Sequence, residues 1–135
     1  MRGVLVDAGP LVAILDADDA FHEECVAALR QIREPMITVW PAVTEATHLV
    51  ASDTARDRLL EIIDQGALRI APLDGHDVPR MRALMQKYRD RPMDLADAAL
   101  VRVGERDGYH TVFTIDRTDF AVYRLHGTKR FQLLP

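Results

Sequence analysis

Short, wholly apolar runs alternate with longer stretches whose apolar residues recur at helical spacing. Val4–Asp7 is the first run and reads as a buried strand closed by a carboxylate. Gly9 and Pro10 punctuate the chain, and a helix is predicted over Leu11–Leu15 because proline suits a helix start. Val26, Leu29 and Ile32 share one face and predict a helix from His22 to Ile32. Met36–Val39 is a second strand, after which Pro41 opens a helix carrying Glu45. A further helix is predicted over Thr54–Gln65 and is stopped by Gly66. Leu68–Leu73 is the third strand. Helices follow over Asp77–Tyr88 and Leu95–Asp107, the latter ended by Gly108. Val112–Ile115 is the fourth strand, and Phe131–Leu134 is a short candidate fifth.

Strands separated by helices imply βα units. The predicted fold is α/β: a central, mostly parallel sheet of four or five strands with helices on both faces. No repeat, low-complexity segment or linker interrupts it, so residues 1–135 are predicted to form one domain. A chain of this length buries about two-thirds of its unfolded surface. Hydrophobic residues at 48% and charged residues at 28% describe an ordinary globular mixture. No run approaches the roughly 20 apolar residues that span a bilayer, and Asp7 interrupts the N-terminus too early for a secretory signal. The single cysteine, Cys25, sits in a helical segment and reads as a small core hydrophobe, which fits a reducing cytoplasm.

Four acids stand out against this frame. Asp7 and Asp116 end apolar runs, whereas Glu45 and Asp97 lie inside helical patterns among core-like residues. In open parallel sheets, sites form beyond the carboxyl ends of strands where strand order reverses. Asp7 and Asp116 face one crevice if strands one and four are neighbours. Glu45 shares a side with Leu49 at i+4, which is expected to point it toward the core. Asp97 lies in the first turn of its helix, where the dipole favours negative charge even without a ligand. Asp94 reads as the N-cap of that helix, and Asp119 as a turn residue. Carboxylates beside core are costly unless neutralised, and an oxygen-only donor set selects Mg²⁺ or Mn²⁺. Histidines 22, 48, 76, 110 and 126 show no paired spacing, which speaks against zinc. The chain also lacks a glycine-rich phosphate loop.

Four stretches carry a resemblance to a known family. They are Val4-Leu-Val-Asp7-Ala-Gly-Pro-Leu, Thr44-Glu45-Ala-Thr, Pro92-Met-Asp-Leu-Ala-Asp97-Ala-Ala-Leu-Val and Val112-Phe-Thr-Ile-Asp116-Arg-Thr-Asp-Phe120. The chain resembles the PIN-domain family, and within it the VapC-type toxin ribonucleases of toxin–antitoxin modules. Gly9-Pro10 departs from the small polar residues common after the first aspartate, which affects turn chemistry more than the acids. The resemblance implies a Mg²⁺- or Mn²⁺-dependent endoribonuclease, usually a homodimer, with a small antitoxin as partner.

Read as chemistry, the acids suit phosphodiester hydrolysis by metal-activated water. Asp7 and Asp97 are expected to be the principal ligands of one or two ions. Glu45 and Asp116 complete the site directly or through water, since Mg²⁺ keeps several waters, and Thr114 is expected to orient Asp116. A net charge of −4 does not advertise nucleic-acid binding, but residues 117–135 carry four basic residues and one acid. Arg117, Arg124, Lys129 and Arg130 are therefore candidate contacts for an RNA backbone. Two other readings remain. A phosphatase would want a second acid two residues after Asp7, which Asp7-Ala-Gly lacks. A non-enzymatic partner-binding α/β module would use the acids only for a structural ion.

Overall fold

Val4, Leu5 and Val6 offer water no polar side, so the strand they form (β1, Val4–Val6) must be covered on both faces. The computed structural model, which describes residues 2–135, meets that demand. Side chains alternate along a strand, and the alternation divides the core in two. Leu5, Ile37 and Val112 pack on one face of the sheet, while Val4, Val6 and Phe113 pack on the other.

The remaining elements are α1 (Ala8–Leu15), α2 (His22–Gln31), β2 (Met36–Thr38), α3 (Trp40–Leu49), α4 (Asp53–Asp64), β3 (Leu68–Ile70), α5 (Val78–Lys87), α6 (Leu95–Asp107), β4 (Thr111–Phe113), α7 (Arg117–Val122), β5 (Arg124–Leu125), β6 (Lys129–Arg130) and β7 (Gln132–Leu134). Five strands form one sheet in the order β3-β2-β1-β4-β7, parallel throughout. Strand order reverses between β1 and β4, as the sequence reading required for Asp7 and Asp116 to meet. Residues of α5, α6 and α7 join the first core, and residues of α1 and α4 join the second. The mostly parallel α/β sheet with helices on both faces is thus observed. Cys25 is fully buried and burial pushes its thiol up to about 11, as fits a packing residue. No described helix is long and apolar enough to cross a membrane.

Two local predictions change, and one element appears that the sequence reading did not give. Helix α1 begins at Ala8 rather than Leu11, because the Asp7 side chain accepts from the Ala8 N–H and Pro10 falls in the first turn, where its missing N–H costs nothing. The stretch after Asp116 is a helix rather than a turn; Asp116 caps it and Asp119 lies in its first turn. The spacing of an acid cap and a second acid three residues on was a helix signal available in the sequence. Residues 124–130 form a separate β5–β6 hairpin, turned through positive φ at His126 and Gly127.

Helix α6 lies close against the sheet because Gly104 has no side chain. A Cβ there would meet the Tyr109 carbonyl oxygen at 2.8 Å and Leu5 Cδ1 at 3.2 Å. Backbone cannot swing aside as a side chain can, so overpacking must shift the helix. Gly104→Ala is expected to lower unfolding free energy by about 1–3 kcal/mol in urea titration. Unchanged stability would show that α6 tolerates displacement from β1.

Candidate active site

The acids are positioned by elements with independent reasons to sit where they do. Asp7 directly follows β1, and its N–H continues the ladder by donating to the Phe113 carbonyl at 3.0 Å. Its backbone is extended, so its side chain keeps the parity of Leu5 and faces the α6 side of the sheet. Asp97 stands in the first turn of α6, whose N-cap is Asp94; the Asp94 carboxylate accepts from the Asp97 N–H at 2.8 Å. The predicted capping role of Asp94 is observed. Asp116 caps α7 just beyond β4, accepting from the Asp119 N–H at 3.3 Å.

Glu45 reaches the same end of the sheet from α3. Its predicted alignment with a buried Leu49 does not hold, because Leu49 is exposed and the core side of α3 is Ala42, Val43 and Ala46. The i+4 rule placed the two on one side of the helix correctly. That side faces solvent, which only the packing of α3 against α1 and α6 decides.

Two hydroxyls fix the buried acids. Thr114 Oγ1 donates to Asp7 Oδ2 at 2.9 Å and accepts from the Asp116 N–H at 2.9 Å. Thr114 therefore holds Asp7 by its side chain and Asp116 only by its backbone, where the sequence suggested Asp116 alone. Tyr123, fully buried, donates to Asp97 Oδ2 at 2.9 Å. Nothing in the sequence marked Tyr123, which lies 26 residues from Asp97 and meets it through the chain reversal after α7.

The electrostatics separate these acids from every other buried acid here. Asp77 and Glu105 are also buried, but each holds arginines: Arg102 at 2.8 Å and Arg106 at 3.2 Å for Asp77, and a two-pronged Arg80 at 2.8 Å for Glu105. The Asp74 N–H, outweighing burial and helped by Arg102 and Arg106, holds Asp77 down to about 2. Burial alone would raise Glu105, but Arg80 and the His126 N–H bring it below its usual range. Asp7 and Asp97 have only hydroxyl and N–H donors. Burial pushes Asp7 up to about 6, the Ala8 N–H and Thr114 oppose, and Glu45 and Asp94 add repulsion. Burial, Asp94 and Asp7 push Asp97 up to about 8, against the Tyr123 hydrogen bond. Burial with Asp94 and Asp116 raises Glu45; burial with the Asp119 side chain raises Asp116. Among the described residues no lysine, arginine or histidine forms an ion pair with Asp7, Glu45, Asp94, Asp97 or Asp116.

Residues 4–124 match the family described as PIN domain. The chain belongs to the PIN-domain family. Ribonuclease VapC26 of Mycobacterium tuberculosis is 26% identical over 135 residues, spanning 98% of this chain and all of that protein. In solved structures, the fold is similar to that of Mycobacterium tuberculosis VapC20, a Sarcin-Ricin loop cleaving toxin. That likeness has a TM-score of 0.78 and 16% identity, and it covers 86% of this chain and 93% of the other. A toxin–antitoxin complex from Klebsiella pneumoniae contains a chain similar at a TM-score of 0.67 and 18% identity, covering 88% and 91%.

The donor chemistry of this PIN domain fits a hard divalent cation: oxygen donors only, uncompensated charge, and two carboxylates held ready by hydroxyls. Among the described residues no three acids or histidines already stand at cage spacing. Mg²⁺ commonly keeps several waters, so it does not require a complete cage of protein donors.

The predicted basic contacts are placed differently from one another. The Arg117 guanidinium donates to the Pro135 carbonyl, and that of Arg124 donates to the carbonyls of Ala121, Val122 and Tyr123. Arg124 thereby satisfies carbonyls at the end of α7. Lys129 and Arg130 are exposed on the hairpin. That hairpin leaves the acids along α6: Tyr123 touches Asp97, while the His126 N–H donates to Glu105, about 12 Å farther along the helix at 1.5 Å per residue. Asp119 pairs with Arg91 at 3.1 Å, which keeps it out of the cluster of unpaired acids.

A carboxyl whose folded pKa is raised stabilises the protein when protonated, and loses that contribution as pH rises through the folded value. In EDTA, the thermal midpoint is therefore expected to fall as pH rises from about 5 through the Asp7 and Asp97 values of about 6 and about 8. Asp97→Asn is expected to flatten this slope and to be more stable than the parent at pH 8 by on the order of 1–3 kcal/mol. A flat profile for the parent chain in calorimetry would disprove the uncompensated charge.

Proposed function

We propose that this PIN-domain protein is a divalent-metal-dependent endoribonuclease of the VapC type, the toxin of a toxin–antitoxin pair. The observation that carries the reading is the contrast among buried acids: Asp77 and Glu105 hold arginines, whereas Asp7 and Asp97 hold none. Two desolvated carboxylates without cations suit a site whose cation arrives from solution. The full-length match to a protein named Ribonuclease VapC26 supports RNA as the substrate class. The toxin–antitoxin complex among its structural relatives supports a small antitoxin as partner. The same reading has residues 1–135 act as one PIN unit, as a homodimer in the cytoplasm.

In this reading Asp7 and Asp97 are the principal ligands of Mg²⁺ or Mn²⁺, as one ion or two, and Glu45 and Asp116 complete the set directly or through water. When bound, the ion supplies the Lewis acidity that makes hydroxide available near neutral pH and reverses the charge a phosphate meets. The protein's part is orientation. Thr114 occupies one Asp7 oxygen and Tyr123 one Asp97 oxygen, which fixes how each carboxylate presents itself. Asp94 anchors the first turn of α6 and adds to the negative field. Lys129 and Arg130, exposed and without ion-pair partners among the described residues, are the tail residues left to meet RNA phosphates.

Cleavage of single-stranded and structured RNA is expected with Mn²⁺ or Mg²⁺ and not with EDTA. Asp7→Asn and Asp97→Asn, each shown to be folded by circular dichroism, are expected to lose at least about a hundredfold in rate, in line with loss of metal or of its orientation. Activity surviving EDTA or either substitution would reject the mechanism, and cleavage of DNA alone would keep the site and change the substrate. Tyr123→Phe is expected to weaken Mn²⁺ binding by about 10- to 100-fold, read by electron paramagnetic resonance, with the melting temperature reported alongside. Parent-like Mn²⁺ affinity would reduce Tyr123 to a packing residue.

A further inference from the structure

Beside the acids lies a surface that the hydrolytic chemistry does not use. Trp40, the only tryptophan of the chain, is 54% exposed at the start of α3. Pro41 follows it, and Thr44 Oγ1 donates to its carbonyl at 3.0 Å, so its backbone is held by the first turn of α3. A tryptophan commonly buries 150–250 Å² and dominates the energetics of whatever covers it. Leaving one half in water beside a charged cleft is unfavourable for the folded chain alone.

That cleft measures about 590 Å³ and is lined by Trp40, Glu45, Asp94 and Leu95. The indole therefore shares a wall with two of the acids. Leu95, itself 51% exposed, also lines a second groove of about 600 Å³ along α5, with Met81, Met85, Arg82 and Arg89. Arg82 and Arg89 are exposed, and among the described residues neither has an ion-pair partner. Arg82 stands on α5, and Arg89 lies just past its C-cap, Tyr88, with both lining the same groove. One continuous surface thus presents carboxylates, a flat aromatic face, apolar side chains and two free guanidinium groups.

We propose that this surface is a single-strand nucleic-acid track in which Trp40 stacks an unpaired base next to the acids and Arg82 and Arg89 hold the phosphates that follow. The inference rests on the ribonuclease reading for the substrate's identity, and deepens it by assigning the subsite and the strandedness. An anionic polymer with flat apolar groups matches both features, because base–aromatic stacking and arginine–phosphate contacts are the two recurring means of holding single strands. A base inside a duplex has its faces covered and cannot lie on the indole, so single strands are preferred over duplexes.

Trp40 reports on its own occupancy, because all indole emission comes from it. The full chain, in EDTA at low salt to prevent cleavage, is titrated with a single-stranded oligoribonucleotide and with the same sequence as a duplex. Single-stranded RNA is expected to quench Trp40 emission saturably, with the duplex binding more weakly. Trp40→Ala is expected to weaken binding by about 5- to 150-fold, read by anisotropy of labelled RNA, with Trp40→Phe close to the parent. Arg82→Gln with Arg89→Gln is expected to lower the slope of log affinity against log salt by about 1.4, the value for two single-strand phosphate contacts. With Mn²⁺ present, Trp40→Ala is expected to raise KM more than it lowers kcat.

RNA that binds without perturbing Trp40 emission would overturn the track, as would a Trp40→Ala protein of parent affinity. Emission that shifts with protein concentration and ignores RNA would show a second copy of the chain covering the face, and would also overturn it. Quenching by RNA in a chain that fails to cleave with any divalent metal would uphold the track while removing the ribonuclease reading.

Discussion

Like-charged carboxylates converging at the carboxyl ends of neighbouring strands repel, and burial sharpens that repulsion by removing water. The fold holds Asp7 and Asp97 in that condition with no lysine, arginine or histidine paired to either among the described residues. The cost is met by the sheet and by α6, which are apolar enough to keep both acids in place. β1 is buried on both faces, Phe113 and Val112 beside it are fully buried, and α6 contributes an unbroken buried run from Ala96 to Val101. A looser frame would let the acids swing into solvent and relax.

The chain neutralises buried charge readily where nothing else requires it open. At the far end of α6, Glu105 takes Arg80, and Asp77 takes Arg102 and Arg106. The N-terminal end of the same helix receives hydroxyls instead. Thr114 and Tyr123 donate hydrogen bonds that fix geometry while adding no positive charge, so the carboxylates stay oriented and electrostatically unsatisfied. Hydroxyl donors therefore set these two carboxylates apart from the ordinary buried ion pairs at the other end of α6.

Much of this was legible along the chain. The parallel α/β order, the bounds of α6 and the capping role of Asp94 follow from short-range patterns: apolar runs, helical periodicity, a glycine stop and an acid before a helix. Two signals misled. Gly9-Pro10 reads as a break, yet Asp7 caps a helix that already includes both residues. Leu49 reads as core, yet it is exposed, because side sharing on a helix says which residues travel together and not which side the neighbours cover. The short helix α7 carried its signal in Asp116 and Asp119, and the hairpin after it carried one in His126-Gly127.

The sequence by itself determined which residues could be strands, which acids lay at their ends and which donors were all oxygen, because these depend on local chemistry and on spacing. Only the tertiary structure decided that β1 lies beside β4, that Thr114 binds Asp7 rather than the Asp116 side chain, and that Tyr123 closes on Asp97. It also decided that Arg124 is taken up by carbonyls, while the Trp40 indole lies exposed beside Glu45 and Asp94, and Arg82 and Arg89 line the groove that adjoins it at Leu95. The reason is physical: hydrogen bonds and charge compensation are settled between residues far apart in the chain, where packing brings them within about 3 Å and sequence spacing carries no record of the approach.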